Sequence, residues 1–207
     1  MQTWSAKEVS AFLVHTSQDR LSAIWVLAVT TGMRRGELLG LKWKDIDFNR
    51  SALSVRRSLV SVEYELAFST PKTEKSRRVI ALDTTTLGAL AKHRRSQAAE
   101  KLAFGPGYDN SDLVFCQENG EPFHPDRLTK VFRATVQQTE LPVIRLHDLR
   151  HTHATLALQA GIHPKVVSER LGHSTVAMTL DTYSHTVPSM QSDAAERIAE
   201  LVFGVSR

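Results

Sequence analysis

The chain has 207 residues, 42% of them hydrophobic, so it can bury a sizeable core, and its length suits one large domain better than two. Its formal net charge of +4 favours a polyanionic partner, although many soluble domains carry such a charge without one. No apolar stretch approaches the roughly 20 residues that a membrane-spanning helix needs, and the single cysteine, Cys116, cannot form an internal disulfide. Secreted and membrane-bound classes are therefore excluded, and a cytoplasmic location is expected.

Three helices are predicted at the N-terminus. Ser5 and Glu8 have the spacing of a capping box, which marks the start of the first helix. A second helix is predicted over residues 21–31, and Gly32 ends it. A short third helix is predicted to begin near Met33.

Between residues 45 and 82 the helical spacing of the hydrophobic residues gives way to an alternation of apolar and polar residues. Apolar and polar residues alternate from Leu53 to Val55 and again from Val60 to Leu66, and a run over residues 77–82 completes the set. Such segments predict a three-stranded antiparallel sheet.

From residue 83 onward the pattern is helical again. Helices are predicted near residues 84–102, 125–138, 147–160, 164–171, 175–182 and 189–202. The fold class is therefore mainly α with a small three-stranded antiparallel β-sheet. The last helix carries an apolar stripe that must be covered, either by its own domain or by a neighbouring subunit. The stripe consists of Met190, Ala194, Ile198, Leu201 and Val202.

The segment H-D-L-R-H-T-H has the sharpest local geometry. On a helix, His147, Arg150 and His151 lie at i, i+3 and i+4, so one phosphate could meet both His147 and Arg150. Two alternatives are open: an exposed basic helix face, and a zinc site built from His147, His151 and His153. The zinc alternative is weaker, because Asp148 stands where a metalloprotease has glutamate and because Arg150 would repel a cation.

Arg34 and Glu37 lie three residues apart in T-G-M-R-R-G-E-L, so on a short helix they share a face. Glu37 can then hold the Arg34 guanidinium in one orientation and leave its other donors free for an oxyanion. A surface ion pair is the alternative. Neighbouring Arg35 points elsewhere in this interpretation, toward a surface or DNA-backbone contact.

A basic turn, S-T-P-K-T-E-K-S-R-R, joins two of the predicted strands and contains Lys72. Because a hairpin tip is exposed and mobile, Lys72 can reach into a DNA groove. A solvated charged hairpin is the alternative. Lys75 and Arg77 are predicted to contact DNA phosphates, which position a protein without reading sequence.

The C-terminal region combines a glycine turn with a tyrosine. Gly172 ends one predicted helix, His173 follows in the turn, and Ser174 is predicted to cap the next helix, whose far end carries Tyr183. His173 could then donate to a phosphate oxygen that Tyr183 approaches. Half-buried packing is the ordinary alternative for such a tyrosine.

Four motifs together resemble the catalytic domain of the tyrosine recombinases, the phage-integrase family, over nearly the whole chain. They are T-G-M-R-x-G-E-L with L-K-W-x-D-I-D, T-P-K-T followed by a basic residue, H-D-L-R, and L-G-H-S-T-V-A-M-T-L-D-T-Y-S-H. The resemblance implies the catalytic-domain fold of that family, with Glu37 in a supporting role. The catalytic residues that it implies are Arg34, Lys72, His147, Arg150, His173 and Tyr183.

This set suits phosphodiester chemistry without a metal, and neither a metal nor a cofactor is expected. Guanidinium groups hold phosphate oxygens, other groups carry protons, and a hydroxyl is the nucleophile. The resemblance implies site-specific DNA cleavage and rejoining through a 3′-phosphotyrosine, with Tyr183 as nucleophile and His147 as its base. The alternatives are a catalytically silent DNA-binding relative of the same fold and a histidine-ligated metal hydrolase.

The resemblance also implies partners and domain organisation. Double-stranded DNA is the expected partner, a homotetramer is expected on DNA, and a monomer is the alternative without it. Family members usually carry an N-terminal core-binding domain, and some carry an arm-binding domain before it. We expect residues 1–207 to form a single catalytic domain that lacks both.

Overall fold

The computed structural model describes residues 2–70, 77–183 and 198–204. The helices are α1 (Ala6–His15), α2 (Ser22–Thr31), α3 (Arg35–Leu39), α4 (Thr84–Phe104), α5 (Pro125–Gln137), α6 (Asp148–Gln159), α7 (Pro164–Leu171) and α8 (Val176–Tyr183). Residues 198–203 are also helical. The strands are β1 (Ile46–Asp47), β2 (Ala52–Val55), β3 (Ser58–Val62), β4 (Glu65–Ser69) and β5 (Arg78–Ala81). A 3-10 turn spans Trp43–Asp45. The predicted fold class, mainly α with a small three-stranded antiparallel sheet, is confirmed.

The helix boundaries follow from the predicted caps. Ser5 and Glu8 form a reciprocal capping box at the start of α1. Gly32 and Gly172 adopt the left-handed conformation that ends α2 and α7, with φ of 64° and 67°. Glycine tolerates this conformation because it has no Cβ to clash with the carbonyl oxygen that follows.

The strands form two units, whereas the sequence predicted one. β1, β2 and β5 make the three-stranded antiparallel sheet, and β3 pairs only with β4 in a separate hairpin. The assignment of residues 60–66 to one strand of the sheet is therefore wrong. Glu63 and Tyr64 turn the chain there with positive φ values of 51° and 69°, and neither residue is one that usually marks such a turn.

The core is built around α2, whose residues are apolar on nearly every side. Trp25 on this helix forms a cluster with three aromatic rings from outside it, at centroid distances of 5.0 to 6.1 Å between neighbouring rings, and two of the three contact Trp25 directly. These rings belong to Trp4, Phe12 and Phe132. Burial of so much aromatic surface fixes the position of α2. The position of Gly32, at the end of this helix, is therefore fixed as well.

A close backbone approach fixes the hairpin against α3. A Cβ on Gly36 would lie 2.3 Å from Ser58 Oγ and 2.7 Å from the Leu59 carbonyl oxygen. Only glycine leaves room for β3 at this distance.

Several apolar side chains remain exposed in the last described segment. The exposed fraction is 62% for Ile198, 86% for Leu201 and 66% for Val202, while Met190 and Ala194 of the predicted stripe lie outside the described residues. Within residues 2–70, 77–183 and 198–204, no helix has both the length and the apolar character to cross a membrane.

Candidate active site

Glu37, on α3, lies between two arginines: Arg34, which directly precedes this helix, and Arg78, on β5. Its carboxylate accepts from Arg34 Nη1 at 3.0 Å and from the Arg34 backbone N–H at 2.8 Å. Arg78 donates to both carboxylate oxygens, at 3.0 and 2.9 Å. Burial raises the pKa of the Glu37 carboxyl, but the bonds and charge of Arg78 and Arg34 outweigh burial, and the net shift is downward. Glu37 is therefore a buried carboxylate anion.

Arg78 was not among the predicted site residues. Its side chain is 6% exposed, and its Nε donates to the Arg170 carbonyl oxygen at 2.6 Å. Successive side chains of β5 point to opposite faces, so Arg78 shares the inward face with Ile80, whereas Arg77 and Val79 point outward. This alternation along the strand is the sequence signal that could have identified Arg78 as an inward-facing residue.

Arg34 reaches from α3 to the end of α7. Its Nη2 donates to the Gly172 carbonyl oxygen at 3.3 Å, while 42% of its side chain stays exposed. Arg35 points the other way, as predicted, and donates to Thr129 Oγ1 at 2.7 Å and to Asp126 at 3.1 Å on α5. Of the two arginines, only Arg34 faces the loop that carries His173.

Arg150 extends from α6 between the ends of two other helices and is 4% exposed. It donates from Nη1 to the Gly32 carbonyl oxygen and from Nη2 to the Leu171 carbonyl oxygen, both at 2.6 Å. The ends of α2 and α7 thus fix the orientation of the guanidinium.

His147 lies one residue before α6 with its ring against His151, 4.9 Å between centroids and nearly perpendicular. Partial burial lowers the pKa of His147, and the positive charge of Arg150 lowers it further. Its imidazole is therefore neutral near pH 7 and keeps one nitrogen lone pair.

His173 follows Gly172 in the turn between α7 and α8. Its Nδ1 lies 2.9 Å from Thr179 Oγ1. Burial and the charges of Arg150 and Arg34 lower the pKa of His173 to about 4. The helix that follows begins at Val176, and Thr175 Oγ1 accepts from the Met178 N–H at 3.3 Å. The prediction of Ser174 as the cap was wrong by one residue.

The fold brings four of the six predicted catalytic residues to one place, although they are spread from position 34 to position 173. Arg34 and Arg150 donate to the adjacent carbonyls of Gly172 and Leu171, directly before His173. The charges of Arg34 and Arg150 both act on His147 and His173.

The other predicted site residues lie either at the edges of the described segments or outside them. Tyr183 is the last residue of α8. Arg77 is exposed and directly precedes β5. Lys72 and Lys75 lie outside the described residues.

The histidines of the proposed zinc site do not converge. His153 Nδ1 is 2.8 Å from the Val29 carbonyl oxygen, to which it donates, away from the His147–His151 pair. Burial lowers the pKa of His153 to about 4. Within the part of the chain that the structure describes, no group of three or more His, Cys, Asp and Glu side chains could hold a metal ion.

The chain matches the Phage integrase family over residues 4–190. The chain belongs to the phage integrase family.

Individual relatives agree with this membership. The chain is 34% identical to a tyrosine recombinase XerC-like protein of Caldanaerobacter subterraneus, over 97% of this chain and 54% of that protein. It is 30% identical to the ICEBs1 integrase of Bacillus subtilis, over 98% of this chain and 55% of that protein. The chain thus spans about half the length of these curated relatives.

Solved structures show the same fold. The Tn1549 transposon integrase superposes with a TM-score of 0.82 at 24% identity, covering 96% of this chain and 66% of that one. The catalytic domain of the bacteriophage HP1 integrase superposes with a TM-score of 0.61 at 20% identity, covering 95% of this chain and 94% of that one.

Proposed function

We propose that this chain is the catalytic domain of a tyrosine-type site-specific DNA recombinase, which cuts and rejoins DNA through a 3′-phosphotyrosine without a metal. The observation that carries the proposal is the convergence of Arg34, Arg150 and His173 at the turn from which α8 leads to Tyr183. His147 lies close enough to feel the charges of both arginines. The core extends from Trp4 to Leu149 and supports a single domain.

The two arginines bind the scissile phosphate. Arg34 keeps part of its guanidinium exposed while Glu37 fixes its orientation. Preorganised donors of this kind stabilise the charge that develops on non-bridging phosphate oxygens, because they need no reorientation during the reaction. His173 adds an uncharged donor beside them.

The covalent step is an attack by the Tyr183 hydroxyl oxygen on the phosphorus. The phenol has an ordinary pKa near 10, so His147, neutral at pH 7, takes its proton. The bond between phosphorus and the 5′ oxygen breaks, and Lys72 protonates that oxygen. The products are a 3′-phosphotyrosyl enzyme and a free 5′ hydroxyl. A second 5′ hydroxyl reverses the step without ATP, because one phosphodiester replaces another.

Double-stranded DNA is the proposed partner, with Lys75 and Arg77 on its phosphates. The Tn1549 integrase, which shares the fold, was solved in complex with its transposon-end DNA. A homotetramer on DNA is part of the proposal, as is a cytoplasmic location. Assembly would give the exposed apolar residues Ile198, Leu201 and Val202 a covering surface.

The experiment uses a nicked suicide duplex that traps the covalent intermediate. The parent is expected to form a protein–DNA adduct that resists denaturation, whereas Tyr183→Phe forms none and binds DNA with unchanged, salt-dependent affinity. Tyr64→Phe is the matched control, since Tyr64 is 94% exposed on the hairpin turn. An undiminished adduct from Tyr183→Phe removes Tyr183 from the mechanism.

The same experiment decides between the alternatives. DNA binding by the parent without any adduct would support the catalytically silent relative. Loss of the adduct after chelator treatment would support the metal hydrolase.

Deletion of residues 189–207 tests the assembly part of the proposal. A soluble monomer that cleaves the suicide duplex but cannot complete strand exchange supports packing of this segment on a neighbouring subunit. An insoluble product supports packing on its own domain.

A further inference from the structure

Thr179 is the residue of α8 that contacts His173. Its side chain is completely buried, and its Oγ1 lies 2.9 Å from Nδ1 of the ring. Among the described residues, the ring is the hydrogen-bond partner found for this hydroxyl. At that distance one of the two atoms donates its hydrogen to the other.

Burial decides which of them donates. If Nδ1 carried the ring hydrogen, it would donate to Oγ1, and the buried hydroxyl hydrogen would have no acceptor. Leaving a buried donor without a partner costs free energy. If the hydroxyl donates to an unprotonated Nδ1, both groups are satisfied and the ring hydrogen resides on Nε2.

We propose that Thr179 is a positioning residue that holds His173 as the Nε2–H tautomer, so that the ring donates an uncharged hydrogen bond to a phosphate oxygen. The inference rests on the proposed DNA cleavage function. Burial, and then the charges of the nearby Arg150 and Arg34 guanidiniums, lower the pKa of the ring and keep it neutral at pH 7. A neutral ring with the other tautomer would present a lone pair to the phosphate and repel it.

The tautomer is measured directly on the parent protein. Histidine labelled with nitrogen-15 is read in a long-range proton–nitrogen spectrum at pH 7, with the His173 signal identified by its absence in His173→Asn. The expected result is an unprotonated Nδ1 that accepts a hydrogen bond and a protonated Nε2. A protonated Nδ1 overturns the proposal, and this measurement needs no catalytic activity.

Cleavage of the suicide duplex tests the consequence. Thr179→Val is expected to slow adduct formation about tenfold, the order expected for loss of one hydrogen bond in the site, with DNA affinity unchanged. Thr179→Ser restores the hydroxyl and should recover most of the rate. Thr135→Val is the matched control, because Thr135 is a buried helical threonine whose hydroxyl donates to the Val131 carbonyl oxygen. An unchanged rate in Thr179→Val overturns the proposal.

A double variant separates positioning of His173 from a general effect on α8. If Thr179 acts through His173, adding Thr179→Val to His173→Asn slows the reaction no further. Additive slowing would mean that Thr179 acts on α8 instead and overturns the proposal. A parent that forms no adduct at all would contradict the proposed function, while the nitrogen-15 spectrum still decides the tautomer.

Discussion

Two of the buried carboxylates, Glu37 and Asp45, each bind two arginines and have the same local arrangement but different surroundings. Glu37 caps the backbone N–H of Arg34 and pairs with Arg34 and Arg78. Asp45 caps the backbone N–H of Lys42 and pairs with Arg57 and, at 3.6 Å, with Arg56. Each cluster has one arginine that is mostly buried and one that is more exposed.

The difference lies in what the exposed arginine faces. Arg34 bridges to the Gly172 carbonyl oxygen beside His173, so its cluster is joined to Arg150 through the end of α7. Arg56 stands in the loop between β2 and β3 with 63% of its side chain exposed. An ion-pair cluster by itself therefore does not identify an active site, and its neighbours must also be cationic or proton-carrying groups.

The largest effect is expected when the carboxylate charge is removed. Glu37→Gln and Asp45→Asn should each lower the free energy of unfolding by about 3–5 kcal/mol, because each leaves a mostly buried guanidinium without its counter-charge. Urea unfolding measures this loss. Only Glu37→Gln should also slow adduct formation per folded molecule, and equal slowing by both variants would contradict the distinction between the clusters.

The exposed arginines should differ next most strongly. Arg34→Lys is expected to slow cleavage about 10²–10³-fold, because a lysine cannot reproduce the planar donors of a preorganised oxyanion clamp. Arg56→Lys, the control on the other cluster, should cleave at nearly the parent rate. Single-turnover adduct formation measures both rates. A comparable loss of rate in Arg56→Lys would show that the two clusters do not differ in function.

Acid should lower the free energy of unfolding through His153. This residue lies beside Gly32 and near Arg150 and Arg170. Its pKa is about 4 in the folded protein and near 6.5 when unfolded, so the unfolded chain binds the extra proton between these values. Stability should fall by about 3 kcal/mol as the pH drops from 6.5 to 4. His173, also with a pKa of about 4, acts in the same direction.

Unfolding experiments at a series of pH values check this. His153→Asn should reduce the slope of stability against pH, whereas Thr135→Val, a buried change without a titratable group, should leave that slope unchanged. An unchanged slope in His153→Asn would exclude His153 as its source.

The smallest effect is expected at the buried arginines. Arg78→Lys keeps the charge but loses the paired bonds to Glu37, so Arg34 is less firmly oriented, and cleavage should slow about tenfold. Arg57→Lys is the matched change on the Asp45 cluster and should leave cleavage unaffected. DNA affinity, measured in parallel, should change in neither variant, and a loss of affinity in Arg78→Lys would indicate a DNA contact instead.

Local spacing predicted much of the fold and part of the site. The capping box at Ser5, the left-handed ends at Gly32 and Gly172, and the ion pair between Arg34 and Glu37 each depend on residues within one helical turn. Such features follow from the sequence because their geometry is set locally.

The rest depends on contacts between distant segments. The split of the strands into a sheet and a hairpin required a left-handed turn at Glu63 and Tyr64, which carry no glycine or asparagine signal. The hydrogen bond between Thr179 and His173 depends on how α8 is placed relative to the turn that precedes it. No short sequence pattern predicts that placement. Arg78 could have been found from strand alternation, but its partner Glu37 lies 41 residues away.

The end-on placement of α2 and α7 around Arg150 has an electrostatic consequence. Peptide dipoles add along a helix to roughly half a negative charge at its C-terminus. The Arg150 guanidinium donates to the Gly32 and Leu171 carbonyl oxygens at two such ends. Together they act as a diffuse counter-charge of about one unit. Two backbone carbonyl oxygens thereby help to keep a buried cation in place. Unlike a carboxylate, a carbonyl oxygen is not neutralised by a proton near neutral pH and is not an anion that competes with an incoming phosphate.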